Sequence, residues 1–283
     1  MTIAAKLTLL QQTKQAQKEL LGIPNGVPWS KYASYMTKWL PYILFMRGRN
    51  GAWYDPSDLS TLFQNAAGTI PVTTNGDPVA LMLDKSGNGY HMAQTTSTAR
   101  PTYRTDGILH WLQPDGIDDG MLRRGIPVTT LNREHFTACT STASEGVQLV
   151  ESASYPLVMA ENYSDGVSVS HTTADISSRD INGKNQSVSM FMSSENPSIL
   201  QSKVNNGTLT GGVNNSANSI VFAPRLPVEN MTVNLYLFRF TQSARYFYGG
   251  KFYGGLYLYD SELDAQTANR VRRYLAQKAG IAL

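Results

Sequence analysis

The sequence predicts a mainly β protein: an antiparallel two-sheet jelly-roll sandwich with an N-terminal helical arm and a C-terminal helix. From residue 51 onward, short apolar or alternating runs are separated by clusters of Gly, Asn, Asp, Ser and Pro, which is typical of many short strands. No helical pattern interrupts these runs, as it would in an α/β protein. Charged residues make up 16% of the chain, against about 25% in ordinary soluble domains. The polar character therefore rests on uncharged side chains.

Residues 1–48 form the predicted arm, and we expect a helix over residues 3–22. Its apolar seam follows spacings of four and three residues, as in a coiled coil, and is imperfect because it includes two polar positions. The seam consists of Ile3, Leu7, Leu10, Lys14, Gln17 and Leu21. Gly22 and Pro24 end the helix, and a second short helix is expected over residues 29–36. Two interpretations stay open: a helical hairpin packed on the main domain, or an arm for docking or oligomerisation.

Charge distinguishes the arm from the rest of the chain. Residues 1–50 carry seven Lys or Arg residues and one acidic residue, Glu19, which gives a net charge of +6. The whole chain carries +3, so residues 51–283 carry −3. A basic segment binds nucleic acid or an acidic protein surface. The sequence disfavours nucleic acid, because no recognised nucleic-acid motif accompanies the charge.

Residues 49–283 form the predicted sandwich domain. Residues 231–241 read as its central strand: Val233, Leu235 and Leu237 face one side, and both faces of the strand are largely apolar. We expect the opposite sheet to cover one face and a helix or loop to cover the other. A C-terminal helix, capped by Ser261 and ended by Gly280, is a candidate for that second cover.

Several motifs resemble the concanavalin A-like, laminin-G-like family over about residues 50–283. Residues 51–60 (GAWYDPSDLS) resemble its W-x-D-A-S-D-L opening strand, and residues 84–94 (DKSGNGYHMAQ) resemble its D-K-S-G-N-G-x-H-x-x-Q loop. Residues 115–119 (DGIDD) resemble F-D-G-x-D-D, and residues 252–260 resemble the last strand. One departure is Gln113-Pro114, where the family usually has an aromatic residue, so the strand there is expected to be kinked or at a sheet edge. The resemblance implies a jelly-roll sandwich.

The same motifs suggest a calcium site, since Ca²⁺ prefers carboxylate and carbonyl oxygens. Five oxygen-bearing side chains lie on two predicted turns: Asp84, Asn88, Asp115, Asp118 and Asp119. The alternative is that these side chains accept or donate hydrogen bonds that stabilise the turns. No other cofactor is expected.

The sequence does not predict an enzyme. A retaining glycosidase on this fold would need two carboxylates about 5–5.5 Å apart, as an E-x-D-x-x-E strand would supply, and no such run is present. The four histidines are scattered along the chain, and Cys139 lies in a strand-like run that predicts a buried, inert thiol.

The N-terminus resembles those of bacteriophage structural proteins, which implies a virion protein: a tail fibre, an appendage or a capsid decoration. No secretion signal or membrane-spanning stretch is read, so we expect synthesis in the host cytoplasm, location in the virion and no membrane insertion. The docking residues would be Ile3, Leu7, Leu10, Leu21 and Trp29. Other virion proteins are the expected partners, and the resemblance to fibre-type proteins favours a homotrimer.

The sandwich itself has two interpretations. As a host-attachment module it would bind a cell-surface glycan through stacked aromatic rings and polar loop groups. The densest aromatic run supplies the candidates Tyr246, Tyr248 and Tyr253. As an architectural decoration module it would contact virion proteins alone. A polysaccharide-degrading enzyme ranks third.

Overall fold

The computed structural model describes residues 41–46, 48–130, 132–141, 146–154, 164–169, 173–179, 185–191, 196–205, 208–221, 232–238 and 249–282. Within these residues the chain forms two antiparallel sheets and two α-helices, which confirms the predicted mainly β sandwich. The predicted docking residues Ile3, Leu7, Leu10, Leu21 and Trp29, and the predicted sugar-binding Tyr246 and Tyr248, lie outside this part of the chain. Neither described helix has the length and apolarity to span a bilayer.

The first sheet has eight strands, numbered here along the chain. In the order of pairing they are β15 (Ser216–Val221), β14 (Thr208–Val213), β13 (Ser198–Asn205), β8 (Arg133–Ser141), β17 (Gly250–Tyr259), β6 (His110–Gln113) and β5 (Thr102–Thr105). The eighth strand, β1 (Gly51–Tyr54), pairs with the second half of β17, whereas β6 pairs with the first half. The strand before Pro114 is thus internal rather than at an edge, and β6 ends at Gln113.

The second sheet has nine strands. In the order of pairing they are β12 (Asn185–Phe191), β11 (Thr173–Arg179), β10 (Ser164–Val169), β9 (Gly146–Ser154), β16 (Thr232–Leu237), β7 (Met121–Pro127), β4 (Met92–Ala93), β3 (Leu81–Met82) and β2 (Leu62–Phe63). β16 lies between β9 and β7, so the prediction of a central strand at this point is confirmed.

The main core lies between the two sheets. Side chains alternate across a strand, and Val233, Leu235 and Leu237 of β16 all point into this core, as the apolar row predicts. Phe238 and Phe252 meet there edge to face, with ring centroids 5.6 Å apart. Cys139 also lies in this core, fully buried, as expected from its strand-like context.

Helix α2 (Ala265–Ala279) has a different cap and a different neighbour from those predicted. Its cap is Asp264, whose Oδ1 accepts a hydrogen bond from Thr267 N at 2.9 Å, so the assignment to Ser261 is wrong. Gly280 ends the helix in the left-handed region, as predicted. The helix packs on β17, β8 and β13, which belong to the eight-stranded sheet. It therefore does not cover β16, which lies in the other sheet.

Helix α1 (Tyr42–Phe45) belongs to the sandwich as well. Leu44 and Phe45 are buried in a second apolar cluster on the outer face of the eight-stranded sheet, together with Leu256 and Leu258 of β17 and with Leu275 of α2. The folded unit of the described chain thus includes residues 41–46, which the sequence assigned to the arm.

The sandwich has two ends, which we call proximal and distal. At the proximal end Asn50 leads into β1, and its side-chain amide donates to Pro127 O at 2.7 Å and to Asp260 Oδ2 at 3.1 Å. At the distal end Asp115 forms a bridge with Gly249, just before β17 begins. The ten residues of β17 connect these ends, and at about 3.3 Å per residue they span about 30 Å.

Candidate functional site

A pocket of about 330 Å³ opens on the outer face of the nine-stranded sheet, towards the distal end. It is lined by Ala93, Gln94, Thr95, Gly120, Met121, Leu122, Arg124 and Tyr236. The strand register builds it: Ala93 of β4 pairs with Leu122 of β7, which pairs with Tyr236 of β16. Because Met121, Leu235 and Leu237 point into the core, Leu122 and Tyr236 point the other way, into the pocket.

Two of the motif segments meet at this pocket. Gln94, the last residue of the 84–94 motif, donates from Nε2 to Gly120 O at 2.6 Å, and its Oε1 accepts from Thr96 N at 3.0 Å. Gly120 directly follows the 115–119 motif. The Gln94 amide is therefore committed to holding the two segments together, and it shapes one wall of the pocket.

The pocket offers apolar side chains, a hydroxyl group and a guanidinium group to a ligand. Tyr236 is 4% exposed and forms the floor. Thr95 and Arg124 are exposed at the rim, and Arg124 forms no salt bridge with any residue in the described part of the chain. Such a site can hold the apolar part of a ligand against the half-buried Ala93 and Leu122 and donate hydrogen bonds to its oxygen atoms at the rim. The sequence reasoning missed these residues, although Tyr236 lies on the second apolar face of the strand predicted over residues 231–241.

An acidic loop lies next to the pocket along the chain. Asp115, Asp118 and Asp119 each bring a carboxylate oxygen within 4.8 Å of the others. Asp115 Oδ1 accepts from Ile117 N at 2.8 Å and from Asp118 N at 3.2 Å, while Asp119 Oδ2 accepts from Asp115 N at 2.8 Å. Burial raises the pKa of Asp119 to about 6; the hydrogen bond from Asp115 N opposes this rise, and the two neighbouring carboxylates add to it.

The other two predicted calcium ligands lie at the proximal end. Asp84 Oδ1 accepts from Trp53 N at 2.9 Å and from Ser86 N at 2.8 Å, and its Oδ2 accepts from Tyr90 N at 3.0 Å. The Asn88 amide donates to Gly51 O at 2.7 Å. The prediction of one site formed by all five residues is therefore wrong. Asp84 binds Trp53, which pairs with Leu256, whereas Asp115 pairs with Gly249, seven residues away along β17, so the two loops lie about 20 Å apart. Asp84 and Asn88 stabilise their own loop, and a calcium site at the acidic loop stays a prediction.

Tyr253 is not on the surface that the sequence predicted. It is 3% exposed and packs in the cluster beneath α2, with its ring centroid 6.1 Å from that of Trp111. In β17, Phe252 points into the main core, so alternation turns Tyr253 towards the helix. Tyr253 does not line the pocket, so the structure does not place it in the candidate site. Gly249, which directly follows Tyr248, pairs with Asp115 of the acidic loop.

The remaining buried carboxylates hold the fold together. Asp55 Oδ2 accepts from Tyr274 at 2.8 Å and contacts Lys278 at 2.9 Å. Glu134 Oε2 accepts from Leu263 N at 2.8 Å, and its Oε1 accepts from Gln201 Nε2 at 2.6 Å. Both groups join the segment around α2 to the sheet, and neither lines the pocket.

Comparisons with known proteins find similar solved structures at low sequence identity. No protein-family model matches it, and no curated protein matches its sequence. Its structure is similar to the botulinum neurotoxin type G receptor-binding domain, with 12% identity, a TM-score of 0.48 and coverage of 71% of this chain. It spans about half of that domain, 51%. It is also similar to the CBM40 of Ruminococcus gnavus IT-sialidase, with 11% identity, a TM-score of 0.40 and coverage of 53% of this chain and 97% of that one.

Replacing Asp119 by asparagine is expected to stabilise the metal-free protein above about pH 7, by about 1–2 kcal/mol. The pKa of the folded state, about 6, lies above the ordinary value of 3.8, so ionisation of Asp119 opposes folding at neutral pH. The difference should disappear below about pH 4, where the carboxyl is protonated in both states. Asparagine keeps an oxygen that can accept from Asp115 N. Denaturant unfolding across this pH range checks the prediction.

In the presence of calcium, the wild type is expected to be more stable than the Asp119→Asn variant. If the three carboxylates bind Ca²⁺, adding it to EDTA-treated wild-type protein raises the melting temperature, and the Asp119→Asn variant gains less. A wild-type melting temperature that does not move with added calcium removes the metal interpretation and leaves the hydrogen-bonded turn.

Proposed function

We propose that this chain is a structural protein of a bacteriophage virion, attached to the particle by its N-terminal segment. In this proposal the β-sandwich binds a host-surface carbohydrate through the pocket at Tyr236, Thr95 and Arg124. The arm would dock through Ile3, Leu7, Leu10, Leu21 and Trp29. Its partners would be other virion proteins, and the protein would assemble as a homotrimer.

One observation carries the proposal: the chain enters the sandwich at the proximal end, whereas the pocket opens towards the distal end. Residues 48–50 lead into β1 at the proximal end, whereas Gly120 and Ala93 lie near the distal end. Along β7, Leu122 of the pocket lies five residues from Pro127, which accepts a hydrogen bond from Asn50, so the pocket is about 15 Å from the entry point. A protein held at its N-terminus would therefore present the pocket away from the particle, as a displayed binding module requires.

The chemistry of the pocket supports a carbohydrate. Sugar rings have one apolar face that packs on aromatic side chains and several hydroxyl groups that need hydrogen-bond partners. The pocket supplies the half-buried side chains of Ala93 and Leu122, above the buried Tyr236, for the first. Thr95 and the guanidinium group of Arg124 supply the second. Its volume is at the lower limit of ligand pockets, about 300–1,000 Å³, which suits one or two sugar rings.

The low charge content supports a particle-borne surface protein. With 16% charged residues, the chain relies on Ser, Thr, Asn, Gln and Gly for its polar surface. A second candidate is an architectural capsid or tail decoration protein without glycan binding. The exposed sheet edge described below favours it, because such an edge is suited to contacts between neighbouring proteins.

Replacing Arg124 by alanine is expected to weaken glycan binding about tenfold or more, because a hydrogen bond from a charged donor contributes about 1.5–3 kcal/mol. A glycan array identifies the ligand, and titration calorimetry measures the two affinities. Arg104→Ala is the matched control, since Arg104 is also exposed but lies on β5 of the other sheet. Equal losses in both variants would contradict the pocket assignment. An array without any bound glycan would leave the decoration protein as the remaining candidate.

A further inference from the structure

The edge strands on the two sides of the sandwich differ in how far other residues of the chain cover them. On one side the edges are β5 and β2, and residues 64–79 cover both of them. Gly76 N donates to Tyr103 O of β5 at 2.9 Å, and Tyr103 N donates to Asp77 O at 2.9 Å. Val72 N donates to Leu62 O of β2 at 2.9 Å. The edge hydrogen-bonding groups on this side are therefore satisfied within the chain.

On the other side, within the part of the chain that the structure describes, the eight-stranded sheet ends at β15. Within the described residues, the backbone of β15 bonds to β14 alone. The strand lies next to β12, the last strand of the other sheet. Five of its six residues are exposed, including Val221 at 82%.

β15 also lacks the features that keep sheet edges apart. Proteins usually block an edge with a charged side chain, a proline or a very short strand, because an open edge pairs with other chains. The sequence of β15, SANSIV, contains no charged residue and no proline over six residues. The covered side has such features. There β2 has only two residues, Pro71 forms a bridge with Phe63 of β2, and Pro78 forms a bridge with Thr102 of β5. β5 also carries the exposed Arg104.

We propose that β15 pairs with β15 of a second copy of this chain. Antiparallel pairing of one strand with its own copy around a two-fold axis uses the same edge twice and joins the two eight-stranded sheets. The absence of charge in β15 makes this self-pairing free of repulsion between identical residues.

The proposed contact leaves the pocket open. β15 lies at the opposite end of the strand order from β6 and β5, whereas the pocket is on β4, β7 and β16 of the other sheet. Self-pairing is thus independent of the proposed carbohydrate binding, and each can fail without the other. Two six-residue strands make a small interface, below about 1,200 Å², so association is expected in the micromolar range or weaker.

The test introduces two lysines into the middle of the edge, Asn218→Lys with Ser219→Lys, in the full chain. Light scattering at about 100 µM, chosen to exceed the affinity expected for a small interface, should show half the molar mass of the wild type. The ratio is two where the chain does not otherwise oligomerise. Where the N-terminal segment assembles three copies, each copy carries one β15 edge, and the wild type forms larger assemblies than the variant. The control is Gln266→Lys with Gln277→Lys, which adds the same charge on the exposed face of α2 and should leave the mass unchanged.

A measurement on the wild type keeps the proposal testable if the variant does not fold. Amide hydrogen exchange over residues 216–221 should become slower as the protein concentration rises, because pairing protects the outer amides. The proposal is overturned by equal mass in the wild type and the edge variant, by an equal change in the control, or by exchange that does not depend on concentration.

Discussion

Replacing Asp55 by alanine is expected to lower the free energy of unfolding by about 2–4 kcal/mol, because it leaves the buried Tyr274 hydroxyl and two partly buried ammonium groups without this partner. The Asp55 side chain is 4% exposed. Its Oδ2 contacts Lys278 Nζ at 2.9 Å and Lys85 Nζ at 3.4 Å, and it accepts from the Tyr274 hydroxyl at 2.8 Å. These contacts connect β1, the loop after β3 and helix α2, so one side chain joins three parts of the chain.

Asp58→Asn provides the control for this prediction. The Asp58 carboxylate is also paired with Lys85, at 2.6 Å, but its side chain is 34% exposed. Exposed ion pairs contribute about 0–1 kcal/mol, so this variant should unfold close to the wild type. Urea unfolding followed by circular dichroism measures both variants. Equal effects at the two positions would show that burial and the multiple contacts of Asp55 do not matter.

Protonation of the Asp55 carboxylate is expected to lower the stability of the protein in acid. Burial alone would raise the pKa of Asp55, but the Lys278 ammonium, the Ser57 hydrogen bond and Lys85 outweigh it and lower the pKa to about 2. Because this value lies below the ordinary 3.8, the ionised group stabilises the fold above about pH 4, by about 2 kcal/mol. That contribution is lost as the pH falls from about 4 to 2, and it should be absent from the pH profile of the alanine variant.

Replacing Phe45 by alanine is expected to destabilise the protein by about 3–5 kcal/mol, the usual cost of removing a buried aromatic ring. Phe45 is 5% exposed and lies in the cluster on the outer face of the eight-stranded sheet. Its ring also packs against Gly51 at the start of β1. The adjacent Met46 is 45% exposed, so Met46→Ala is a matched control that should have little effect. Thermal and urea unfolding compare the two.

This prediction determines where the chain can be shortened. Deleting residues 1–40 keeps Leu44 and Phe45 and should leave a folded sandwich. Deleting residues 1–48 should lower the free energy of unfolding by several kcal/mol, because each buried apolar side chain contributes about 1.5–3 kcal/mol. The shorter deletion is therefore the correct variant for testing whether the N-terminal segment attaches the protein to a particle. Equal stability of the two truncated proteins would place the folded boundary after residue 48.

Local features of this protein could be predicted from its sequence because they depend on neighbouring residues. The alternation of Val233, Leu235 and Leu237 predicts a strand with a core-facing side, and Gly280 ends a helix in the one conformation that favours glycine. The charge difference between residues 1–50 and the rest is likewise a property of composition.

Relations between distant segments were decided by the tertiary structure, because strand order is not encoded in periodicity. The loops of Asp84 and Asp115 carry similar residues, yet their strands place them at opposite ends of β17. Helix α2 packs on the eight-stranded sheet rather than on β16, and this position buries Tyr253. The pocket forms only because β4, β7 and β16 become neighbours, so Arg124 and Tyr236, which are far apart in sequence, line one site. Apolar patterns specify that a face is buried, but the choice of its partner depends on how the whole chain packs.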